Sequence, residues 1–271
     1  MADEREYVLG THDEEIARLG LQHRVWRPRA LDAWLQAGFT TGQTLVDVGC
    51  GPGYATIDLA EITGPSGRVV AIDRSQRFLD ALQASAARRC LPNIEIVNAE
   101  LDGDGLPDVA ADGVWVRWVF AFVRQPRELL ARIVRLLKPG GRIVVHEYFD
   151  YSTWRLAPRS EVYEQFVQTV MATWRADGGE PDIGLDLPRW MNELGLRVTS
   201  LRPIVEVITP PSFIWEWPKA FVEVGLARLV ALGRMTADQA KQVRDDFATR
   251  SAAPHTLLIT PAVMEIVAVA G

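Results

Sequence analysis

The stretch LVDVGCGPGYATIDLA, residues 45–60, decides the fold. An apolar run takes in one aspartate, Asp47, then meets three glycines in five positions, Gly49, Gly51 and Gly53, and passes into an apolar pattern of helical spacing. This reads as a buried strand, a sharp turn and a helix. Such a turn needs residues without a Cβ, both to bend and to let a ligand approach the backbone. The first N–H groups of the helix have no partner within it and add donors at the same place.

Working outward, the alternation continues. RVVAID (68–73), IEIVNAE (94–100), ADGVWVRWVF (111–120) and RIVVHEY (142–148) read as further strands. Helices are expected at 54–62, from an N-cap at Ser75 onward, and over PRELLARIVRLLKPGG (126–141), which ends on a glycine stop. The strands are nearly continuous apolar runs, as in sheets covered on both faces. Strand alternating with helix predicts a parallel, doubly wound α/β sheet that binds its ligand at the carboxyl ends of the strands. Upstream, residues 12–37 read as a helix broken or kinked at Pro28 and stopped at Gly38. Beyond 150 the alternation stops. Residues 151–180 read as helical and aromatic-rich, then come a helix and strand, a helical stretch over about 212–255, and a final strand in VMEIVAVA.

Composition sets further bounds. The chain has 271 residues and a net charge of −6, which argues against broad nucleic-acid binding. Two cysteines, Cys50 and Cys90, cannot build a disulfide framework or a thiolate zinc site, and a cytoplasmic setting is expected. The first residues, MADEREYVLG, are acidic and polar and show no signal peptide, and no uncharged apolar run reaches membrane-spanning length. The four histidines are scattered, Asp102, Asp104 and Asp108 read as solvated loop carboxylates, and no metal is expected.

Asp73 closes the second strand 20 residues after Gly53, where a carboxylate can accept both ribose hydroxyl hydrogens. The glycine spacing is G-x-G-x-G, not the G-x-G-x-x-G of nicotinamide enzymes. Asp47, two residues before the first glycine, would repel a pyrophosphate but suits a cationic amino-acid tail.

With these residues in view, LVDVGCGPGYATIDLA resembles motif I of the class I S-adenosylmethionine-dependent methyltransferases, and VVAIDRS resembles their acidic second-strand motif. IVNAELDGDGLPDVAADGVWVRWVFAFV and LLKPGGRIVVHEY resemble the adenine, fourth-strand and fifth-strand motifs, so the likeness runs over about 40–150. The front segment, EYVLGTHDEEIARLGLQHRVW, resembles the N-terminal helix of a bacterial small-molecule subgroup.

The resemblance implies a Rossmann-like seven-stranded sheet, mostly parallel with an antiparallel last strand, in one domain over 1–271. Residues 1–38 would form a helical lid, and 150–192 with 212–255 a helical substrate cap. It implies S-adenosylmethionine as cofactor and S-adenosylhomocysteine as product. Gly49, Cys50, Gly51 and Gly53 would line the methionine moiety, with Asp47 assisting. Asp73 would hold ribose, Arg74, Ala99, Glu100 and Leu101 would meet the adenine side, and Arg117 and Trp118 would touch the cofactor at the end of the fourth strand. Tyr7, Arg18 and Gln22 would meet the methionine carboxylate or the substrate.

The expected reaction is methyl transfer to an O, N or C nucleophile of a small, apolar or aromatic metabolite. The enzyme's task there is to align the nucleophile and exclude water. A base is needed only for a weak acceptor. HEYFDY delivers His146, Glu147, Tyr148 and Tyr151 to the substrate edge, and His146 and Tyr148 are the catalytic candidates. Of Trp115 and Trp118, strand alternation lets at most one face the pocket. Some of the cap aromatics, which include Trp154, Trp174 and Trp217, are expected to line an apolar pocket, while for any one tryptophan packing of the cap on the sheet is the preferred reading. The 212–255 insertion is expected at the pocket's far wall or at a homodimer contact. Nucleic acid and membrane are not expected partners. The alternatives are a relative that binds the same cofactor for another reaction or for structure, and, disfavoured by Asp47, a nicotinamide oxidoreductase.

Overall fold

The computed structural model describes residues 13–103 and 105–271, so Tyr7 and Asp104 lie outside the described residues. Helix α1 (Asp13–Gln36) leads to β1 (Thr44–Val48), α2 (Tyr54–Thr63), β2 (Arg68–Asp73), α3 (Gln76–Arg88) and β3 (Ile94–Asn98). Then come β4 (Ala111–Arg117), α4 (Pro126–Val134), β5 (Leu137–Asp150), β6 (Arg155–Ala157) and α5 (Glu161–Ala176). The chain continues through α6 (Leu187–Glu193), β7 (Leu196–Ile204), β8 (Val207–Ile208), α7 (Glu216–Ala231), α8 (Ala237–Ser251), β9 (Leu257–Ile259) and β10 (Ala262–Ala270).

Seven strands form one sheet in the order β3-β2-β1-β4-β5-β10-β7. β1 pairs in parallel with β2 and β4, and the last strand, β10, runs antiparallel between β5 and β7. This is the doubly wound sheet the alternation predicts. Alternate residues serve its two faces. Val46, Val48, Val114, Val116, Ile143 and Val145 join α4 and α6 in one core. Leu45, Val69, Trp115 and Val144 join Trp34 of α1 and Leu59 of α2 in another.

The helix expected over 126–141 with a glycine stop ends instead at Val134, and Leu137–Gly141 open β5, because Gly140 and Gly141 turn the chain into the strand and do not cap the helix; two other signals at helix ends hold. The Ser75 hydroxyl accepts from the Phe78 N–H at the start of α3. Gly38, at φ +72°, lets the Phe39 N–H return to the Trp34 carbonyl and close α1. Pro28, expected to break or kink the first helix, sits inside an unbroken α1. Trp26, Ala30, Ala33 and Trp34 are all buried on either side of it, and that packing carries the helix across the missing N–H.

Beyond the sheet, α5, α7 and α8 enclose a further core, rich in aromatic side chains. The expectation of helix throughout 151–180 is corrected at β6, which joins β9 and β8 in a small antiparallel sheet. A three-residue strand leaves too little periodicity to be seen from sequence. Trp26 of α1 meets Trp217 of α7 edge to face at 5.2 Å, so the first helix lies between the sheet and these later helices.

Candidate functional site

The sheet order reverses between β1 and β4, and a cavity of about 500 Å³ opens at the carboxyl ends of these strands. The turn after β1, the end of β2 and the end of β4 form its floor, and Leu19 and Gln22 of α1 reach it from above.

Each glycine of the turn has a separate cause. Gly49, Gly51 and Gly53 all adopt positive φ, at +69°, +54° and +80°. A Cβ on Gly49 would lie 2.3 Å from Val119 Cγ2, and one on Gly53 would lie 2.2 Å from Leu82 Cδ1. Those two are held small by packing. A Cβ on Gly51 would meet only Leu19, at 4.0 Å, so this position stays small on the ligand's side. Gly49, Cys50 and Gly51 line the cavity, whereas Gly53 does not and serves the seating of α2 on α3.

The Asp73 carboxylate is pinned at the end of β2. Its Oδ2 accepts from the Gly51 N–H at 2.8 Å and its Oδ1 from the Ser75 N–H at 2.9 Å. Burial raises its pKa, and these N–H bonds work against that. The carboxylate faces the cavity with lone pairs to spare, which suits a vicinal diol. Asp47 is buried one turn of chain away. Thr56 donates to its Oδ2 at 2.6 Å, and desolvation pushes its pKa up to about 6. A cationic group in the cavity would hold it ionised.

Arg74 and Glu100 both line the cavity and pair with each other at 3.5 Å, and Leu101 lies beside them. Ala99 is buried in the core behind this loop, with its N–H on the Asp73 carbonyl, and is not among the lining residues. Asp102, read from sequence as a solvated carboxylate, also lines the cavity and accepts from the Arg124 N–H at 2.9 Å.

At the end of β4, Arg117 and Trp118 both face the cavity, and so does Trp115. The expectation that at most one tryptophan does so is corrected. Alternation ends with the strand at Arg117, and Trp118 turns out at φ +51°, a conformation rare for a bulky residue. Its ring stacks on Tyr148 at 5.5 Å and lies near Trp217 at 6.0 Å. Arg117 lies 5.2 Å from the Trp118 ring and 5.7 Å from that of Trp115. Its Nη2 meets His23 Nδ1 at 3.1 Å, and the other ring nitrogen of His23 meets Asp58 Oδ2 at 3.0 Å. Burial lowers the His23 pKa, so a neutral ring accepts from Arg117 and donates to Asp58. Nothing in the spacing of the histidines pointed to His23.

The remaining sequence candidates fall around the cavity's margin. Arg18 is buried on α1, clamped by both Glu15 oxygens at 2.7 and 2.6 Å and donating to Gln22 Oε1 at 2.9 Å, so it holds Gln22 at the cavity rather than lining it. His146 is fully buried in β5, its Nε2 on Glu265 Oε2 at 3.0 Å, and its ring packs against Trp26 and Trp115. Tyr148 lies one layer behind Trp118. Neither is among the lining residues. Glu147 sits on the opposite face from both. Its Oε1 accepts from the Val119 N–H at 2.7 Å and the Ala121 N–H at 3.4 Å, and so holds the turn that carries Trp118, Val119 and Phe122. The cap aromatics Trp154, Trp174 and Trp217 pack in their own core, as preferred for any one of them, and are absent from the cavity wall, contrary to the expectation that some would line it. Its apolar wall comes instead from Leu101, Val119, Phe122 and Val123. Among the described residues, no cluster of ligands suited to a metal is formed, and no helix is long and apolar enough to cross a membrane.

Residues 46–145 match the family model described as a methyltransferase domain. The chain is 32% identical over 126 residues to a demethylmenaquinone methyltransferase of Lactococcus lactis, covering 46% of this chain and 49% of that one. It is 32% identical over 167 residues to an uncharacterized 37.1 kDa protein in transposon TN4556 of Streptomyces fradiae, covering 61% and 47%. The chain thus spans about half the length of these curated relatives. In fold it is similar to the crystal structure of the [4+2]-cyclase SpnF, with 18% identity, a TM-score of 0.54, and 89% and 80% of the two chains covered.

Proposed function

We propose that this chain, whose residues 46–145 match a methyltransferase domain, is a class I S-adenosylmethionine-dependent methyltransferase and transfers a methyl group from S-adenosylmethionine to an O, N or C nucleophile of a small metabolite. The observation that carries this reading is the carboxylate of Asp73, pinned by the Gly51 and Ser75 N–H groups at the mouth of a glycine turn. A ribose diol fits that carboxylate, and the open side of Gly51 admits the thioether chain. Asp47 offers charge to the cationic tail, and Arg74, Leu101 and Phe78 flank the base end. The bound cofactor supplies a methyl group already activated by its sulfonium. The protein's part is to hold the acceptor in line and keep water out, with Leu19 and Gln22 of α1 closing the cavity from above.

Among the described residues no imidazole lines the cavity. We therefore route no proton through His146. An acceptor that arrives ionised, or that is basic as it stands, suits this site best. The wall of Val119, Phe122 and Val123 favours a flat or apolar acceptor. The SpnF fold also houses a cyclisation, so the fold alone does not choose the reaction; the methyltransferase-domain match supports transfer. A cytoplasmic setting accords with two free cysteines, and exposed Val205, Val207, Phe213 and Leu257 near the small sheet offer a face for a second copy.

The test is calorimetric titration with S-adenosylmethionine, S-adenosylhomocysteine and NADH in parallel. The first two should bind and the third should not. Asp73→Ala should weaken S-adenosylhomocysteine binding at least about tenfold, since it removes charged hydrogen bonds to the diol. Wild-type affinity in that variant, or binding of NADH alone, would overturn the reading.

A further inference from the structure

Among the described basic residues that line the cavity, Arg117 is the one whose charge is left open on the cavity side. Its Nη1 is buried and has no hydrogen-bond partner among the described residues. Its Nη2 meets a neutral imidazole, not a carboxylate, and among the described residues it forms no ion pair. The adjacent Trp118 repeats the pattern, with its Nε1 buried and unpartnered. Both side chains line the same cavity. A buried guanidinium and a buried indole N–H are donors only, and leaving them unpaired costs free energy that a ligand can recover. The other basic groups nearby differ. Arg18 is neutralised by Glu15, and Arg74 is paired with Glu100 at the exposed base end.

We propose that Arg117 and Trp118 form an oxyanion receptor at the end of β4, which takes an ionised oxygen of the carboxylate or phenolate class. The flat indoles of Trp115 and Trp118 beside the guanidinium favour a planar anion. Burial lowers the Arg117 pKa to about 10, the fields of Asp47, Tyr148 and Asp58 work against that, and the guanidinium stays cationic at neutral pH. His23 holds its second nitrogen, so the fork is aimed before any ligand arrives. Two molecules could bring the oxygen: the amino-acid carboxylate of the cofactor, or an ionised methyl acceptor. This inference rests on the proposed cofactor reading for the first and stands without it for the second.

The experiment compares the wild type with Arg117→Met, Arg117→Lys and Trp118→Phe, with melting temperatures to confirm folding. Each is titrated with S-adenosylhomocysteine, with 5′-methylthioadenosine, which lacks the amino-acid tail, and with benzoate against neutral benzamide, the last pair with and without saturating S-adenosylhomocysteine. A cofactor-borne oxygen predicts that Arg117→Met loses roughly tenfold or more for S-adenosylhomocysteine and nothing for methylthioadenosine. An acceptor-borne oxygen predicts preference for benzoate over benzamide by about tenfold in the S-adenosylhomocysteine complex, abolished in Arg117→Met and partly kept in Arg117→Lys. Trp118→Phe, which removes the N–H together with the five-membered ring, should show a loss in the same arm that is smaller than that of Arg117→Met. If Arg117→Met binds every ligand as the wild type does, there is no receptor. If the wild type binds benzoate but not S-adenosylhomocysteine, the cofactor reading fails while the receptor stands.

Discussion

Glu147 shows what one buried proton does to this protein. Desolvation pushes its pKa from the ordinary 4.5 up to about 8, against the pull of the backbone N–H groups at Val119 and Ala121. Between those values the folded state holds a proton that the unfolded state has released. The associated stability is fully present below pH 4.5 and is lost as pH rises through about 8, at about 1.4 kcal/mol per pH unit across that window. The amide in Glu147→Gln copies the protonated carboxyl and can still accept from Val119. The variant should therefore match the wild type at or below about pH 4.5, gain on it steadily as pH rises to about 8, and keep a constant lead above that. Melting temperatures across that range measure the gap; parallel curves would show that Glu147 does not titrate there. Sequence placed Glu147 at the substrate edge as an acid–base or orienting group. The structure makes it the orienting one, because its bonds are to the turn and not to the cavity.

At the scale of elements, the turn from β1 to α2 carries two jobs that look alike in sequence. Gly51→Ala and Gly53→Ala both place a Cβ at positive φ, which costs of the order of 1–2 kcal/mol. At Gly53 the Cβ must also displace Leu82 Cδ1 from 2.2 Å, so α2 and α3 must part and the loss of stability should be the larger. At Gly51 the Cβ has room in the protein and projects on the cavity side, so that variant should fold with a modest loss and bind S-adenosylhomocysteine poorly. Denaturant unfolding and calorimetry on the pair would separate the two; equal losses in both assays would refute the division. The glycine pattern was legible because tight turns leave few choices of residue. Which glycine faced a ligand was not, because that depends on Val119 and Leu82, 70 and 29 residues further along the chain.

Across the whole molecule, the aromatic core of the later helices and the cavity are separate structures joined through Trp26, Trp118 and Trp217. Trp154 is fully buried among Tyr151, Tyr163 and Phe221, and does not reach the cavity. Trp154→Ala should cost about 3–5 kcal/mol in unfolding free energy. Its affinity for S-adenosylhomocysteine should stay within roughly twofold, since none of the ring partners of Trp154 lines the cavity. A large affinity loss in a folded variant would show that the aromatic core shapes the cavity after all. The same chain of contacts explains His146. On strand spacing it was a plausible base, but β10 returns between β5 and β7 and sets Glu265 against it.

Local physics was enough for the strands of the seven-stranded sheet, the Ser75 cap, the Gly38 stop and the place of the cavity, since alternation, capping and the glycine turn act over a few residues and leave their mark in order along the chain. It was also enough to single out Asp47 and Asp73, whose positions follow from the strands themselves, whereas Arg117 and Trp118 were singled out through the resemblance. Tertiary structure alone decided what those residues meet: the partner of His146, the neutral bridge at His23, the open nitrogen of Arg117 and the withdrawal of the cap tryptophans from the cavity wall. Each of these is set by a neighbour distant in sequence, and spacing along the chain carries no record of contacts made across it.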